Sequence, residues 1–462
     1  MIKLYNTITR TKEELVPRNN KKIQMFVCGP TVYDYVHIGN ARTFVFFDVV
    51  AKYLRYRGYE VDYIQNITDI DNKIIERAQK ENADPLEYAK KYTEIFKQDM
   101  EALGVTSPEY KNATDHIPEV ITQVKTLLDK GNAYVIEGDG IYFDLSTFPD
   151  YGKLSGRTAS MADDAVSRID DSDKKRNRGD FALWKFSQDG DPSWPAPVGA
   201  GRPGWHIEDT AITEKYFGPQ YDIHGGGQDL IFPHHEAEVT QQCAAANIKP
   251  KDFVKYWMHV AFVTNKERKM SKSLGNFEMA YELLKKYPKE VLRFYLLSGY
   301  YRSPLDLSDK ILQQSEAGIR RIYEFVQKAS LANGNGEESI EERIKETRQK
   351  FFDAMDDDFN APQAFASVFG LIREINPALT ADSLDKNSVK KAKEFLNEVD
   401  TMLGIIPSKL EKIPDEVLEL VEKREKLREE KNWAEADKIR AQIEEMGYRV
   451  DDTIYGPLVT RR

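Results

Sequence analysis

Cysteine is nearly missing from this chain. Of 462 residues only Cys28 and Cys243 are cysteines, too few for a disulfide framework, so a reducing compartment is the expectation. A run of 18 or more apolar residues is also missing, which excludes a membrane-spanning helix. The first residues, "MIKLYNTITRTKEEL", lack the basic-then-apolar layout of a secretion signal, and the expected location is cytoplasmic. Positive charge is not in excess. The formal net charge of -10 excludes a protein that coats nucleic acid indiscriminately, but leaves room for a local basic surface. No internal repeat is present. What is there, 41% hydrophobic and 31% charged residues, is the balance of a globular chain long enough for two to four domains.

The segment "KIQMFVCGP" (22–30) reads as a short buried strand ending at Gly29-Pro30. From Ala41 to Tyr56 apolar residues recur every three or four positions, which predicts a helix closed by Arg57-Gly58. "YEVDYIQNI" then alternates as a second strand. Strand, loop, helix and strand make a βαβ unit, so the expected class is α/β, a Rossmann-type parallel sheet with ligands at its carboxyl edge. Residues 115–200 are less regular and end in the Pro- and Gly-rich "SQDGDPSWPAPVGAGRPG". "QYDIHGGGQDL" reads as a strand running into a glycine turn, and "PHHEAEVTQQCAAAN" as a helix with Pro233 at its first position. After about residue 307 the pattern is helical almost throughout. A linker, "IIPSKLEKIP", leads to a small unit in which Asn432 and Glu435 resemble a capping box and Gly447 ends the helix. The expected layout is a catalytic domain in two halves (1–115 and 201–260), a connective insertion (116–200), a loop region (261–307), a helical bundle (308–404), and a linker with a small C-terminal domain (405–462).

Two motifs carry chemistry. "VHIGNART" lies between a strand and the helix it feeds, where helix-terminal donors suit phosphate. His37 can donate to a phosphate oxygen, Gly39 allows close approach, and Asn40 can cap or donate. "ERKMSKSLGNF" places Lys269 and Lys272 where a loop can close over a triphosphate and neutralise departing pyrophosphate. Taken singly, each motif has a plainer reading, a histidine satisfied in a turn and a solvated basic loop. In this order and separation, the pair resembles the signature of class I aminoacyl-tRNA synthetases. "FVCGPTVYD", "NITDIDNKI", "GRPGWHIE", "DIHGGGQDLIFPHHEAE" and "KMSKSLGNF" together resemble the cysteinyl-tRNA synthetase family, and the likeness extends to "FNAPQAF" and "NWAEADKIR".

That resemblance implies ATP-dependent ligation of L-cysteine to the 3′ end of tRNA(Cys) through a cysteinyl-adenylate, with Mg2+ accompanying ATP; a monomer is the expected acting form. His37, Asn40, Lys269 and Lys272 are the expected catalytic residues. Gly39, Gly225, Gly226 and Asp229, with Lys272, are expected to bind ATP, although three glycines can also be only a tight turn. Thr31, Thr68 and Trp205 are expected to line the amino-acid pocket, with core packing the plainer reading for Trp205. The helical bundle and C-terminal domain are expected to contact the tRNA stem and anticodon. Cys28, His234 and Glu238 stand at positions that hold zinc in the family, and His234 and Glu238, four apart, share a predicted helix face. Zinc prefers a thiolate to a hydroxyl, which would reject serine without an editing site.

Two departures matter. The family's second cysteine, after "GWHIE", is here Asp209, which keeps three anionic ligands but is a harder donor. A Cys28-Asp209-His234-Glu238 zinc site, another metal, or none all follow from that change, and zinc or a similar divalent ion is the reading adopted. The usual last histidine of the first motif is Asn40, a neutral donor of similar reach. His235 is read as structural and Cys243 as a small buried apolar residue. Two other functions fit parts of the sequence: a ligase that joins cysteine to a small amine, and a silent paralogue that binds nucleotide or RNA.

Overall fold

In a computed structural model of the chain, the run "KIQMFV" forms β1 (Lys22–Val27), and Met25, Phe26 and Val27 are fully buried. A continuous apolar stretch is what a strand covered on both faces requires. β1 is the middle of a five-stranded parallel sheet with β2 (Glu60–Ile67), β3 (Glu109–Asn112), β4 (Tyr221–Gly227) and β5 (Val254–Val260). The order is β5-β4-β1-β2-β3. This is the doubly wound arrangement, whose strand order reverses between β1 and β4, and ligands bind outside the carboxyl ends at that point. The structure describes residues 1–157, 172–188, 190–265, 268–269, 278–407, 413–453 and 456–461.

Between β1 and β2 runs α1 (Ile38–Tyr56), three residues longer at its start than the apolar spacing predicts. His37 accounts for the extension. It is the N-cap, and its Nδ1 accepts a hydrogen bond from the Asn40 amide at 3.2 Å. The helix closes at Arg57, followed by Gly58 at φ 86°, as its sequence predicts.

Three readings of local structure need correction. The segment 115–200 is not irregular. It carries a helix (Ile117–Asp129) and most of a four-stranded antiparallel sheet whose strands, Ala133–Ile136, Gly140–Phe143, Phe181–Phe186 and Gly201–Pro203, pair in chain order. Strands of three to six residues are too short to display a two-residue period. Gly225, Gly226 and Gly227 are not a turn but the end of β4, and the turn follows at Gln228–Leu230. Packing explains them: a Cβ on Gly225 would lie 2.2 Å from Phe47 Cζ, and one on Gly226 would lie 2.8 Å from His235 Cε1. Nor does Pro233 open a helix. Ile231–His235 is a separate turn with Phe232 extended and a cis Phe232-Pro233 bond, and the helix proper begins at Glu236.

The chain divides into two units, Met1–Ile311 with Asp356–Asn360, and Leu312–Met355 with Ala361–Arg462. The first holds the five-stranded parallel and the four-stranded antiparallel sheet, with α2 (Ile207–Phe217) and α3 (Glu236–Ala246) buried along most of their lengths. The second is built on helices at Asp309–Leu331, Glu341–Asp356, Ala361–Thr380 and Lys386–Leu403. It continues with a helical pair, Asp415–Glu429 and Trp433–Glu445, and a hairpin, Tyr448–Thr453 with Gly456–Arg461. Asn432 caps the second helix of that pair and Gly447, at φ 84°, follows its end, as the sequence predicts. Val417, Val421, Ile439, Ile443, Val450 and Val459 form its core. No helix among the described residues is long and apolar enough to cross a membrane.

Candidate functional site

At the β1/β4 switch point the chain leaves a cleft of about 280 Å³, lined among others by Cys28, Thr31, His37, Gly39, Asn40, Trp205, Gly227 and Asp229. The first residue after β1 supplies the thiol. α2 brings Asp209, the turn before α3 brings His234 and His235, and α3 itself brings Glu238.

The four expected metal donors come together. Cys28 Sγ lies 3.3 Å from Asp209 Oδ2 and 3.7 Å from Glu238 Oε1. His234 Nε2 lies 2.9 Å from Asp209 Oδ2 and 3.2 Å from Glu238 Oε1. All four residues are buried. Burial, and then the Glu238 and Asp209 carboxylates, push the Cys28 thiol well above its ordinary pKa. Burial and Asp209 do the same to Glu238. Among the described residues Asp209 Oδ1 and Glu238 Oε2 find no hydrogen-bond partner, and their only ion-pair partners are histidines. A buried thiol and two buried carboxylates without a lysine or arginine fit a divalent cation, and thiolate, imidazole and carboxylate are all zinc donors.

His235, read from the sequence as structural, is fully buried with its Nε2 3.1 Å from Cys28 Sγ. His224, not singled out in the sequence, lies 3.3 Å from the same sulfur. His206, His224, His234, His235 and His259, five of the seven histidines, form one network. His235 Nδ1 meets His259 Nε2 at 2.8 Å, His224 Nδ1 meets the Tyr221 hydroxyl at 2.6 Å, and His234 Nδ1 meets His206 Nδ1 at 2.8 Å. Such outer partners aim the remaining nitrogens at the sulfur and the acids. Burial drives His206, His224 and His235 well below their ordinary pKa and His259 down to about 3, so the rings stay neutral, the ligating form. The available signal was density: these five rings fall between residues 206 and 259.

Trp205 is half-buried at the cleft and stacks on His234 with ring centroids 4.4 Å apart. Thr31 lines the cleft, whereas Thr68 stands behind it, buried, paired with Thr31 in a β-bridge and donating its hydroxyl to Glu208. His37, in the lining of the same cleft, accepts the Asn40 amide at Nδ1. Asp229 and Gly227 line the same cleft, while Gly225 and Gly226 are buried in β4. The Lys269 backbone pairs with Thr264 in a short hairpin. Lys272 and the rest of its motif lie outside the described residues.

Comparison with known proteins bears on this arrangement. Residues 14–317 match the tRNA synthetases class I (C) catalytic domain, 350–407 the DALR domain, and 410–453 the cysteinyl-tRNA ligase anticodon binding domain. In fold, the chain is similar to methionyl-tRNA synthetase of Mycobacterium tuberculosis, at 14% identity and a TM-score of 0.61, covering 83% of this chain and 89% of that one. Sheet order, cleft and catalytic-domain match thus define a class I aminoacyl-tRNA synthetase. Cysteine--tRNA ligase of Carboxydothermus hydrogenoformans is 46% identical over 98% of this chain and 99% of its own length. That of Thermococcus onnurineus is 44% identical over 100% and 99%. The chain belongs to the cysteine--tRNA ligase family.

Proposed function

We infer that the chain ligates L-cysteine to the 3′ end of tRNA(Cys) in two steps. The cysteine carboxylate attacks the α-phosphorus of ATP, forming the acyl-phosphate bond as the bond to pyrophosphate breaks. A terminal ribose hydroxyl of the tRNA then attacks the acyl carbon and AMP leaves with the bonding electrons. The observation that carries this reading is one cleft whose lining includes both Cys28, the thiol of a buried Cys-Asp-His-Glu set, and the capped N-terminus of α1, His37 to Asn40.

The roles follow from position. His37, through Nε2-H, and Asn40 hold phosphate oxygens at the start of α1, where the helix dipole favours negative charge. Lys269 and Lys272 neutralise charge as it develops on pyrophosphate, which departs with Mg2+. Gly39 leaves room for the nucleotide and Asp229 offers a carboxylate to its ribose, while Gly225 and Gly226 keep the β4 end flat beneath it. Thr31 and Trp205 wall the amino-acid pocket, and Thr68 holds Thr31 in place. Cys28, Asp209, His234 and Glu238 would hold one zinc ion, which when bound supplies a preference for thiol over hydroxyl. Residues 1–115 and 201–260 act as the catalytic domain, 116–200 as the insertion, and 261–307 as the loop region. The 308–404 bundle and the 405–462 unit grip the tRNA stem and anticodon. The acting form is a cytoplasmic monomer.

Pyrophosphate exchange with cysteine and with serine, followed by transfer to tRNA(Cys), tests the reading. Exchange with cysteine alone and transfer are expected. Absence of exchange identifies a silent paralogue, and exchange without transfer a small-amine ligase. Lys272→Ala should slow adenylate formation by about 10²–10³-fold with cysteine binding little changed, and equal losses in both would remove its assigned role.

A further inference from the structure

Residues Asp356–Asn360 belong to the first unit, while the segments before and after them, Leu312–Met355 and Ala361–Arg462, belong to the second. At their centre Asp358 is fully buried. Asp358 and Phe359 both lie in the left-handed region, at φ 64° and 51°, which residues other than glycine rarely adopt. Such backbone persists only where its surroundings hold it, and around Asp358 they do. Its Oδ1 accepts the Tyr5 amide at 2.7 Å and the Tyr301 hydroxyl at 2.8 Å. Its Oδ2 accepts the Tyr300 hydroxyl and, at 3.1 Å, Arg302 Nε. Four donors use the whole accepting capacity of a carboxylate.

The stretch held in this way, Tyr300–Arg302, adjoins the cleft. The Tyr301 carbonyl accepts the Ala261 amide at 2.8 Å, and the Phe262 carbonyl accepts the Leu305 amide at 3.0 Å. Ala261 and Phe262 follow β5 directly and line the cleft. Arg42 of α1, itself buried, donates to the Ala261, Phe262 and Tyr300 carbonyls at 2.8, 3.1 and 3.1 Å. One step further on, Val263 and Thr264 pair with Leu305 and Asp306, and Thr264 pairs with Lys269. Asp358 and Arg42 thus clamp one short stretch, to which the cleft wall and the root of the Lys269 hairpin are bonded. The four bonds of Asp358 involve neither β1, α2 nor α3, the elements that position the metal donors.

We propose that Asp358 is a positioning residue for adenylate formation. By fixing Tyr300–Arg302 it sets the Ala261-Phe262 wall and the hairpin root against bound ATP, while the thiol-recognising side of the cleft is set without it. This goes beyond the activity proposed above and rests on it.

Pyrophosphate exchange by the full chain, with ATP and cysteine varied in turn, tests it. Asp358→Asn keeps the shape but turns an amide group toward two donors. It should lower kcat/KM for ATP about 10–100-fold, through a higher KM for ATP as well as a lower kcat. KM for cysteine and zinc uptake should not move. A merely structural role would remove folded molecules, lowering kcat and leaving both KM values in place. That result overturns the proposal, as does a rise in both KM values. Tyr300→Phe and Tyr301→Phe each delete one donor and should raise KM for ATP by less, which decides the matter if Asp358→Asn does not fold. Asp357→Asn, next in the chain but exposed and paired with Lys12 at 2.6 Å, should change neither constant, and an effect equal to that of Asp358→Asn would also overturn the proposal. A wild type without exchange sinks the function reading and this role together, whereas an active wild type matched by Asp358→Asn sinks this role alone.

Discussion

Two buried acids, Asp48 on α1 and Glu238 on α3, differ in what answers them. Asp48 receives Lys52 Nζ at 2.8 Å, Arg293 at 2.9 Å, and the Thr106 and Ser107 amides at 3.1 Å. Burial alone would raise its pKa, but Arg293 and Lys52 overcome that and hold it below the usual carboxylate range. Glu238, equally buried, shares its space with a thiol and a second carboxylate, and its pKa goes up. A buried anion answered by fixed protein cations ties elements together, here α1 to the helix at Lys289–Ser298. One that meets imidazoles, a thiol and other acids is suited to a cation from solution.

Removing a fixed cation should have the largest effect. Arg293→Met leaves Asp48 short of a charge partner, removes the guanidinium donor from the Leu103 carbonyl and leaves the Gly104 carbonyl with Lys52 alone of its two side-chain donors, so unfolding in urea should show a loss of about 3–5 kcal/mol. Zinc uptake should be unchanged. A loss below 1 kcal/mol would mean that the knot holds little together. The complementary experiment adds the cation: zinc at a hundred times its dissociation constant should stabilise the wild type by about 2.7 kcal/mol. Cys28→Ser should lose most of that gain and Arg293→Met should keep it. An undiminished gain in Cys28→Ser would place zinc elsewhere.

The two acids also differ in how far the sequence reveals them. The βαβ pattern shows α1 and therefore Asp48, but its partner Arg293 lies 245 residues away, beyond any local period. Cys28, His234 and Glu238 become visible through motif likeness, because the sheet and α3 keep those positions in register. His224 escapes notice because its nearness to Cys28 follows from strand pairing: it stands opposite Phe26, and Gly225 opposite Val27, at the end of β1. The "GGG" stretch suggests a turn, yet close packing of Phe47 and His235 sets its conformation. Patterns with a local period were legible, and contacts made by tertiary pairing were not.

Acid pH sharpens the contrast at Asp48. Its folded pKa lies below the unfolded value of about 3.9. The stability it contributes is therefore fully present above that value and is lost as pH falls through the lower, folded one. The stability gap between wild type and Asp48→Asn should be constant above about pH 4 and shrink below it, as urea titrations at each pH would record. A gap that is flat down to pH 2 would mean that the carboxylate's charge is not what Arg293 and Lys52 stabilise.

The smallest effect should come from the other cysteine. Cys243 is as buried as Cys28 and shares with it an apolar cluster that includes Phe26, Ile212, Val239 and Trp257, but it is not among the metal donors around Cys28. Burial pushes its thiol pKa up, with weaker contributions from Asp150, Asp252 and Glu236, so it remains a protonated apolar group. Cys243→Ala should cost about 1 kcal/mol, as the loss of one buried atom does, with zinc uptake, the single sulfur in the zinc K-edge absorption spectrum and cysteine activation all unchanged. If the sulfur signal fell in this variant, Cys243 would be reaching the metal and the two cysteines would belong to one site. If it persists, a thiol's neighbours, and not its burial, decide whether it packs or binds.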